Sequence, residues 1–89
     1  MIRRELTITN RLGLHARATA KLVQLLSGYR SQATLEARGR EVNAKSIMGV
    51  MLLAAGPGST VVLRVDGEDA EAAADAAVAL FERRFDEDA

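Results

Sequence analysis

Apolar and polar side chains alternate along the first nine residues, which is the pattern of a β-strand with one buried face. Ile2, Leu6 and Ile8 share the apolar face, and a turn-forming segment follows at residues 10–13. Apolar side chains then recur at three- and four-residue intervals, which is the spacing of a helix. We therefore predict a strand over Ile2–Thr9 and a helix over Ala16–Ser27, stopped near Gly28.

Period-two alternation returns in the middle of the chain. Residues 31–37 and 40–43 alternate on either side of Arg38-Gly39, which predicts a β-hairpin. Residues 60–66 form the strongest strand pattern, because every second residue is a large aliphatic one.

Two further helices are predicted from their buried stripes. Residues 47–55 form a short helix ended by Gly56-Pro57, with Val50, Leu53 and Ala54 facing the core. Residues 69–85 form a longer helix, and we expect residues 86–89 to lie in solvent. The buried stripe of this longer helix comprises Ala70, Ala73, Ala74, Ala77, Leu80 and Phe81.

The predicted element order is βαββαβα. Short connections and half-polar strands favour an antiparallel sheet with one packed face and one open face. We therefore expect an α+β fold, a two-layer open-faced sandwich in which three helices cover one face of a four-stranded antiparallel sheet. Residues 1–89 are expected to form a single domain.

The composition of the chain argues against several classes of function. Twelve basic and twelve acidic residues cancel, so charge gives no reason to expect nucleic acid or an anionic membrane as a partner. The chain has no cysteine, and no apolar run approaches the ~20 residues that span a bilayer. We expect a cytoplasmic monomer.

His15, the only histidine, is predicted to lie at the N-terminal end of the first helix. The backbone N–H groups of Ala16, Arg17 and Ala18 lack partners there and would bind an anion. Arg17 opposes the helix dipole at this position, which suggests a functional reason for its charge, such as holding a phosphoryl group. A structural histidine is the alternative, whereas a metal site and a Ser-His-Asp triad lack the necessary companions.

Four apolar residues are predicted on the outward side of the second helix: Ile47, Met48, Met51 and Leu52. A cluster that includes two adaptable methionines favours a docking surface over scattered exposure. Ser46, at the head of this helix, is most simply an N-cap.

The segments Asn10–Arg17 and Lys45–Met51 together closely resemble the HPr family, the histidine-containing phosphocarriers of the bacterial phosphotransferase system. The resemblance covers essentially the whole chain. It implies that His15 accepts a phosphoryl group on Nδ1 from enzyme I and passes it to EIIA components, with Arg17 stabilising the phosphohistidine. It implies a carrier, not an enzyme in its own right, and no cofactor.

The same resemblance implies a docking surface and a regulatory site. The surface shared by both partners would comprise Ile47, Met48 and Met51, with Ala20 and Gln24 on the first helix. Ser46 matches the serine that HPr kinase/phosphorylase modifies in many bacteria.

The chain departs from the family pattern at Ala18, where proline is usual, and at Thr19, where alanine is usual. Residues 79–88 resemble the nitrogen-related branch (NPr), whereas Lys45–Met51 resembles the sugar-related, kinase-regulated type. Both branches therefore stay open.

A function of another class also fits this fold: a domain that senses a small ligand or binds RNA. RNA binding would require aromatic residues on the open sheet face and a basic surface. The three aromatic residues lie outside the predicted strands and the net charge is zero, so the ligand sensor is the stronger of these alternatives.

Overall fold

The structure, a computed structural model, describes residues 1–87. The predicted element order is confirmed, and the elements are β1 (Ile2–Thr7), α1 (Ala16–Ser27), β2 (Gln32–Ala37), β3 (Arg40–Asn43), α2 (Ile47–Leu52), β4 (Thr60–Asp66) and α3 (Ala70–Glu82).

The strands form one antiparallel sheet in the order β1-β4-β2-β3. Central pairs such as Leu35 with Leu63 and Ala33 with Val65 place the apolar face of each strand toward the helices. These side chains are buried, whereas the residues between them are exposed or half-buried. The sheet therefore has the packed face and the open face that the alternation predicts, which confirms the two-layer α+β fold.

The stripe predicted for the last helix is confirmed, since its six members are the buried residues of α3. On α1 the buried side chains are Ala18, Thr19, Leu22, Val23 and Leu26. Thr19 is satisfied inside the core because its Oγ1 donates to the carbonyl of Leu14 at 3.1 Å.

Two helix ends differ from the prediction. The second helix ends at Leu52, and Ala54 is exposed with φ of +49°, so Ala54 does not face the core. Ala55 is buried instead, because the left-handed residue turns the chain back toward the sheet. The third helix ends at Glu82, three residues before the predicted end.

A left-handed turn, Arg84–Asp86, follows α3. It buries Phe85 completely against the core, where its ring centroid lies 4.8 Å from that of Phe81. The prediction that the acidic ending lies in solvent is wrong for Glu87, whose carboxylate is hydrogen-bonded to Asn10 and His15 in the segment between β1 and α1. Residues 88–89 lie outside the described residues.

Candidate functional site

The loop that joins β1 to α1 is fixed at both of its ends by backbone hydrogen bonds. The N–H of Ile8 donates to the carbonyl of Ser59 at 2.9 Å, and the N–H of Leu14 donates to the carbonyl of Ala55 at 3.0 Å. Leu14 is also buried in the core. These hydrogen bonds join the loop before α1 to the loop after α2. They thereby fix the position of His15, which follows Leu14 and begins α1.

Gly13 is the residue that allows this close approach. Its φ is +67°, and a Cβ built there would lie 2.7 Å from the carbonyl oxygen of Ala55 and 2.8 Å from Cα of Gly56. Both neighbours are backbone atoms, so neither can move aside as a flexible side chain would. Glycine is therefore required for the position of the loop.

His15 lies at the N-cap of α1, as the sequence predicts. Its backbone is extended (φ −75°, ψ 179°), and its carbonyl accepts the first helical hydrogen bond from the N–H of Thr19 at 2.8 Å. The imidazole does not cap the helix and is 27% exposed, so it is accessible to a partner.

The backbone N–H groups of Ala16, Arg17 and Ala18 begin the helix and have no hydrogen-bond acceptor within residues 1–87. They carry the partial positive charge of the helix N-terminus. Ala18 keeps a donor that proline would remove, while its methyl group is fully buried. The structure thus places three free donors beside His15, as predicted.

A shallow cavity of about 230 Å³ opens at this helix end, lined by Arg11, Leu12, His15, Arg17 and Glu87. Arg17 is exposed and makes no ion pair with any described residue, so its guanidinium is available to an anion. Leu12, 65% exposed, was not singled out from the sequence because it lies in a turn outside any periodic pattern. It adds an apolar edge to the cavity.

Glu87 is the site residue that the sequence analysis missed. Its Oε2 lies 2.5 Å from Nε2 of His15, and its Oε1 accepts from Nδ2 of Asn10 at 3.0 Å. Burial by itself raises the pKa of Glu87. The hydrogen bonds from His15 and Asn10, together with the electrostatic attraction of His15 and Lys21, outweigh burial, so the pKa lies below its usual value. The carboxylate is therefore ionised at neutral pH.

Ser46 is the N-cap of α2, and its Oγ accepts from the N–H of Gly49 at 3.1 Å. A Cβ at Gly49 would lie 3.3 Å from both Oγ and Cβ of Ser46, a tight contact that Ser46 would have to relieve by a small shift. The N-cap prediction is confirmed, and Ser46 is half-buried.

The four apolar residues predicted on the outer side of α2 are all exposed there, with Met48 at 73% and Leu52 at 61%. We call Ile47, Met48, Met51 and Leu52 the apolar patch. Helix α2 packs on α1, where Gln24 is exposed and Ala20 is half-buried.

Residues 1–87 contain no cluster of three His, Cys, Asp or Glu side chains that could hold a metal ion. No helix in this part of the chain is both long enough and apolar enough to cross a membrane.

Comparison with known sequences gives consistent matches. A sequence-family model described as "PTS HPr component phosphorylation site" matches residues 2–83. The phosphocarrier protein HPr of Xylella fastidiosa is 62% identical over 88 residues, which cover 99% of each chain. The phosphocarrier protein NPr of Shewanella violacea is 42% identical over 86 residues, covering 97% of this chain and 94% of the relative.

Solved structures agree with the sequence matches. An HPr-C-His crystal structure from Thermoanaerobacter tengcongensis superimposes with a TM-score of 0.97 at 43% identity, covering 100% of both chains. A crystal structure titled as an HPr dimer from the same organism superimposes with a TM-score of 0.79 at 44% identity, covering 98% of this chain and all of the other.

Proposed function

Because this chain belongs to the HPr family of phosphocarriers of the phosphotransferase system, we propose that its phosphoryl acceptor is His15. The observation that carries the proposal is the position of the imidazole. It is accessible at the N-cap of α1, beside three backbone N–H groups and the guanidinium of Arg17, none of which is paired with another described residue. The proposal treats residues 1–89 as one phosphocarrier domain.

The chemistry follows from this arrangement. A neutral imidazole nitrogen attacks the phosphoryl group presented by phosphorylated enzyme I, and the group later leaves to an EIIA component. Arg17 and the N–H groups of Ala16, Arg17 and Ala18 hold the negative charge of the phosphoryl oxygens. The cavity is shallow and open, which suits a group that must be both received and released.

The apolar patch, with Ala20 and Gln24 on α1, is the surface we assign to docking with enzyme I and with EIIA proteins. Ser46 is the proposed site of regulation by HPr kinase/phosphorylase. A phosphate there would be stabilised by the start of α2 but would bring about two negative charges to the edge of the patch, where Ile47 and Met48 are exposed. We propose that the carrier acts as a cytoplasmic monomer.

Intact-mass measurement after incubation with phosphoenolpyruvate and enzyme I tests the phosphoryl acceptor. We expect one acid-labile phosphate on the wild type and none on His15→Ala. Arg17→Ala should slow labelling without abolishing it. Arg30→Ala serves as a control because its side chain is 88% exposed and its guanidinium pairs with Glu68 at 4.0 Å. Acid-labile labelling of His15→Ala would refute the assignment.

Docking is tested separately by placing a charge within the apolar patch. Met48→Asp should weaken binding to enzyme I, because the exposed thioether would be replaced by a carboxylate that must be desolvated in the interface. Ala72→Asp, at an exposed position of α3, is the matched control. Equal affinity of the two variants, measured by titration calorimetry, would exclude the patch from the interface.

A further inference from the structure

The carboxylate of Glu87 is held through both of its oxygens. Asn10 is fully buried and its Nδ2 donates twice, to the carbonyl of Gly13 at 2.8 Å and to Oε1 of Glu87 at 3.0 Å. This orientation leaves Oδ1 of Asn10 without a partner among the described residues. Since Oε2 lies on His15, the carboxylate cannot rotate without breaking one of its hydrogen bonds.

The backbone that delivers Glu87 is in an unusual conformation. Arg84, Phe85 and Asp86 have φ values of 54°, 56° and 61°, a left-handed region that non-glycine residues rarely adopt. Burial of Phe85 holds the turn, and Nζ of Lys21 donates to the Phe85 carbonyl at 2.6 Å. A strained segment that ends on the candidate acceptor suggests a role at the site.

The hydrogen bond between Glu87 and His15 has a chemical consequence. An ionised carboxylate only accepts hydrogen bonds, so Nε2 of His15 must carry the proton. In a neutral imidazole the other nitrogen, Nδ1, then holds the lone pair. Nδ1 has no hydrogen-bond partner within residues 1–87, so it is available to react.

We propose that Glu87 is a positioning residue that selects Nδ1 of His15 as the phosphoryl acceptor by holding the proton on Nε2. The inference rests on the proposed function and deepens it, since it states which part of this chain prepares the nucleophile. It concerns a contact between residues 15 and 87, which lie 72 positions apart in sequence.

Glu87 would also stabilise the product of transfer. The lone pair of Nδ1 forms the bond to phosphorus, and the bond to the donor breaks with its electron pair going to the donor's leaving atom. The proton stays on Nε2, so the ring gains positive charge next to the Glu87 carboxylate. The aspartate of a Ser-His-Asp triad acts on its histidine in this way, with the two ring nitrogens exchanged.

Glu87→Gln is the sharpest variant because Asn10 determines how the new amide is oriented. The amide oxygen stays with Nδ2 of Asn10, so the NH₂ group faces Nε2 of His15. Nε2 must then accept, which moves the imidazole proton to Nδ1 and blocks the nucleophile. Glu82→Gln is the matched control, since it makes the same exchange of a carboxylate for an amide at an exposed position of α3, where the side chain has no hydrogen bond or ion pair with any described residue.

Two measurements on the full-length chain test the proposal. ¹⁵N NMR of protein labelled at histidine, at a pH where the imidazole is neutral, should place the proton on Nε2 in wild type and Glu82→Gln but on Nδ1 in Glu87→Gln. At saturating carrier, the rate of phosphorylation by enzyme I should fall about tenfold or more in Glu87→Gln. The half-saturating carrier concentration should not change, because the apolar patch is intact.

Either of two results would overturn the inference: a Glu87→Gln variant that keeps the proton on Nε2, or one that accepts phosphate at the wild-type rate. Absence of phosphate on wild-type His15, with an active enzyme I, would instead refute the proposed function. The NMR measurement would still show whether Glu87 sets the tautomer, so the two failures are distinguishable.

Discussion

The replacement Gly13→Ala isolates the close backbone contact that positions His15. The added methyl group would lie 2.7 Å from the carbonyl oxygen of Ala55, which already accepts from the N–H of Leu14 at 3.0 Å. Relief requires the two loops to separate, and this separation lengthens the Leu14–Ala55 hydrogen bond. We therefore expect a loss of stability together with a displaced His15.

Two contributions set the magnitude. An alanine at the φ of +67° costs about 1–2 kcal/mol relative to glycine. Loss of the backbone hydrogen bond adds about 0.5–1.5 kcal/mol. Gly39→Ala is the control, since φ is +79° there and a Cβ would meet nothing within 4 Å. The stability of the control should therefore fall only by the cost of the positive φ. The stability of Gly13→Ala should fall by about 1 kcal/mol more than that of the control.

Urea unfolding at 25 °C measures this difference in the free energy of unfolding directly. In thermal unfolding, a change of about 1 kcal/mol corresponds to a shift of roughly 4–8 °C in Tm for a chain of this size. At a temperature where both variants are folded, Gly13→Ala should also accept phosphate from enzyme I more slowly than Gly39→Ala. Equal stability losses in the two variants would refute the steric argument. Equal phosphorylation rates would show that the loop does not position His15.

Three further predictions concern stability. Hydrogen bonds from Ser31 and from the backbone N–H of Arg30 lower the pKa of Asp69 from 3.8 to about 2. The unfolded chain therefore binds this proton more tightly than the folded chain does. As a result, the free energy of unfolding falls as the pH drops from 3.8 toward 2. Asp69→Asn should flatten that part of the curve of Tm against pH. Ser46→Ala should cost about 1 kcal/mol in urea unfolding through loss of the N-cap, whereas Ser46→Asp, which keeps an acceptor, should stay near wild type. Thr19→Val should lose about 1 kcal/mol despite its similar shape, because the buried carbonyl of Leu14 loses its donor.

Most of the fold follows from periodicity. The strands and α3 were predicted because each buries only one face, and a buried stripe constrains every third or fourth residue of a helix. The position of His15 also followed from local pattern, since a turn followed by a helical repeat places it at the helix start. These features depend on residues that are neighbours in sequence, and for that reason they can be predicted from the sequence alone.

The two helix ends were wrong because their termination depends on backbone conformation that side-chain pattern does not report. Ala54 has high helix propensity and sits at an apolar-periodic position, yet it adopts a left-handed conformation that ends α2. Phe85 follows Phe81 by four residues, which is the spacing of one helix face, although the chain leaves α3 between them. Both residues fit a helix by pattern, and the tertiary packing overrides that preference.

The contact of Glu87 with His15 could not be predicted from a helix that continues to residue 85, because the left-handed turn after α3 brings Glu87 to the site. The family match covers residues 2–83 and therefore includes His15 and Arg17, but it ends before the left-handed turn that carries Glu87. That match consequently supports the acceptor and its anion-binding surroundings, and it carries no information about the group on Nε2. If Glu87 sets the tautomer, chains that differ only at residue 87 should differ in transfer rate while docking equally well.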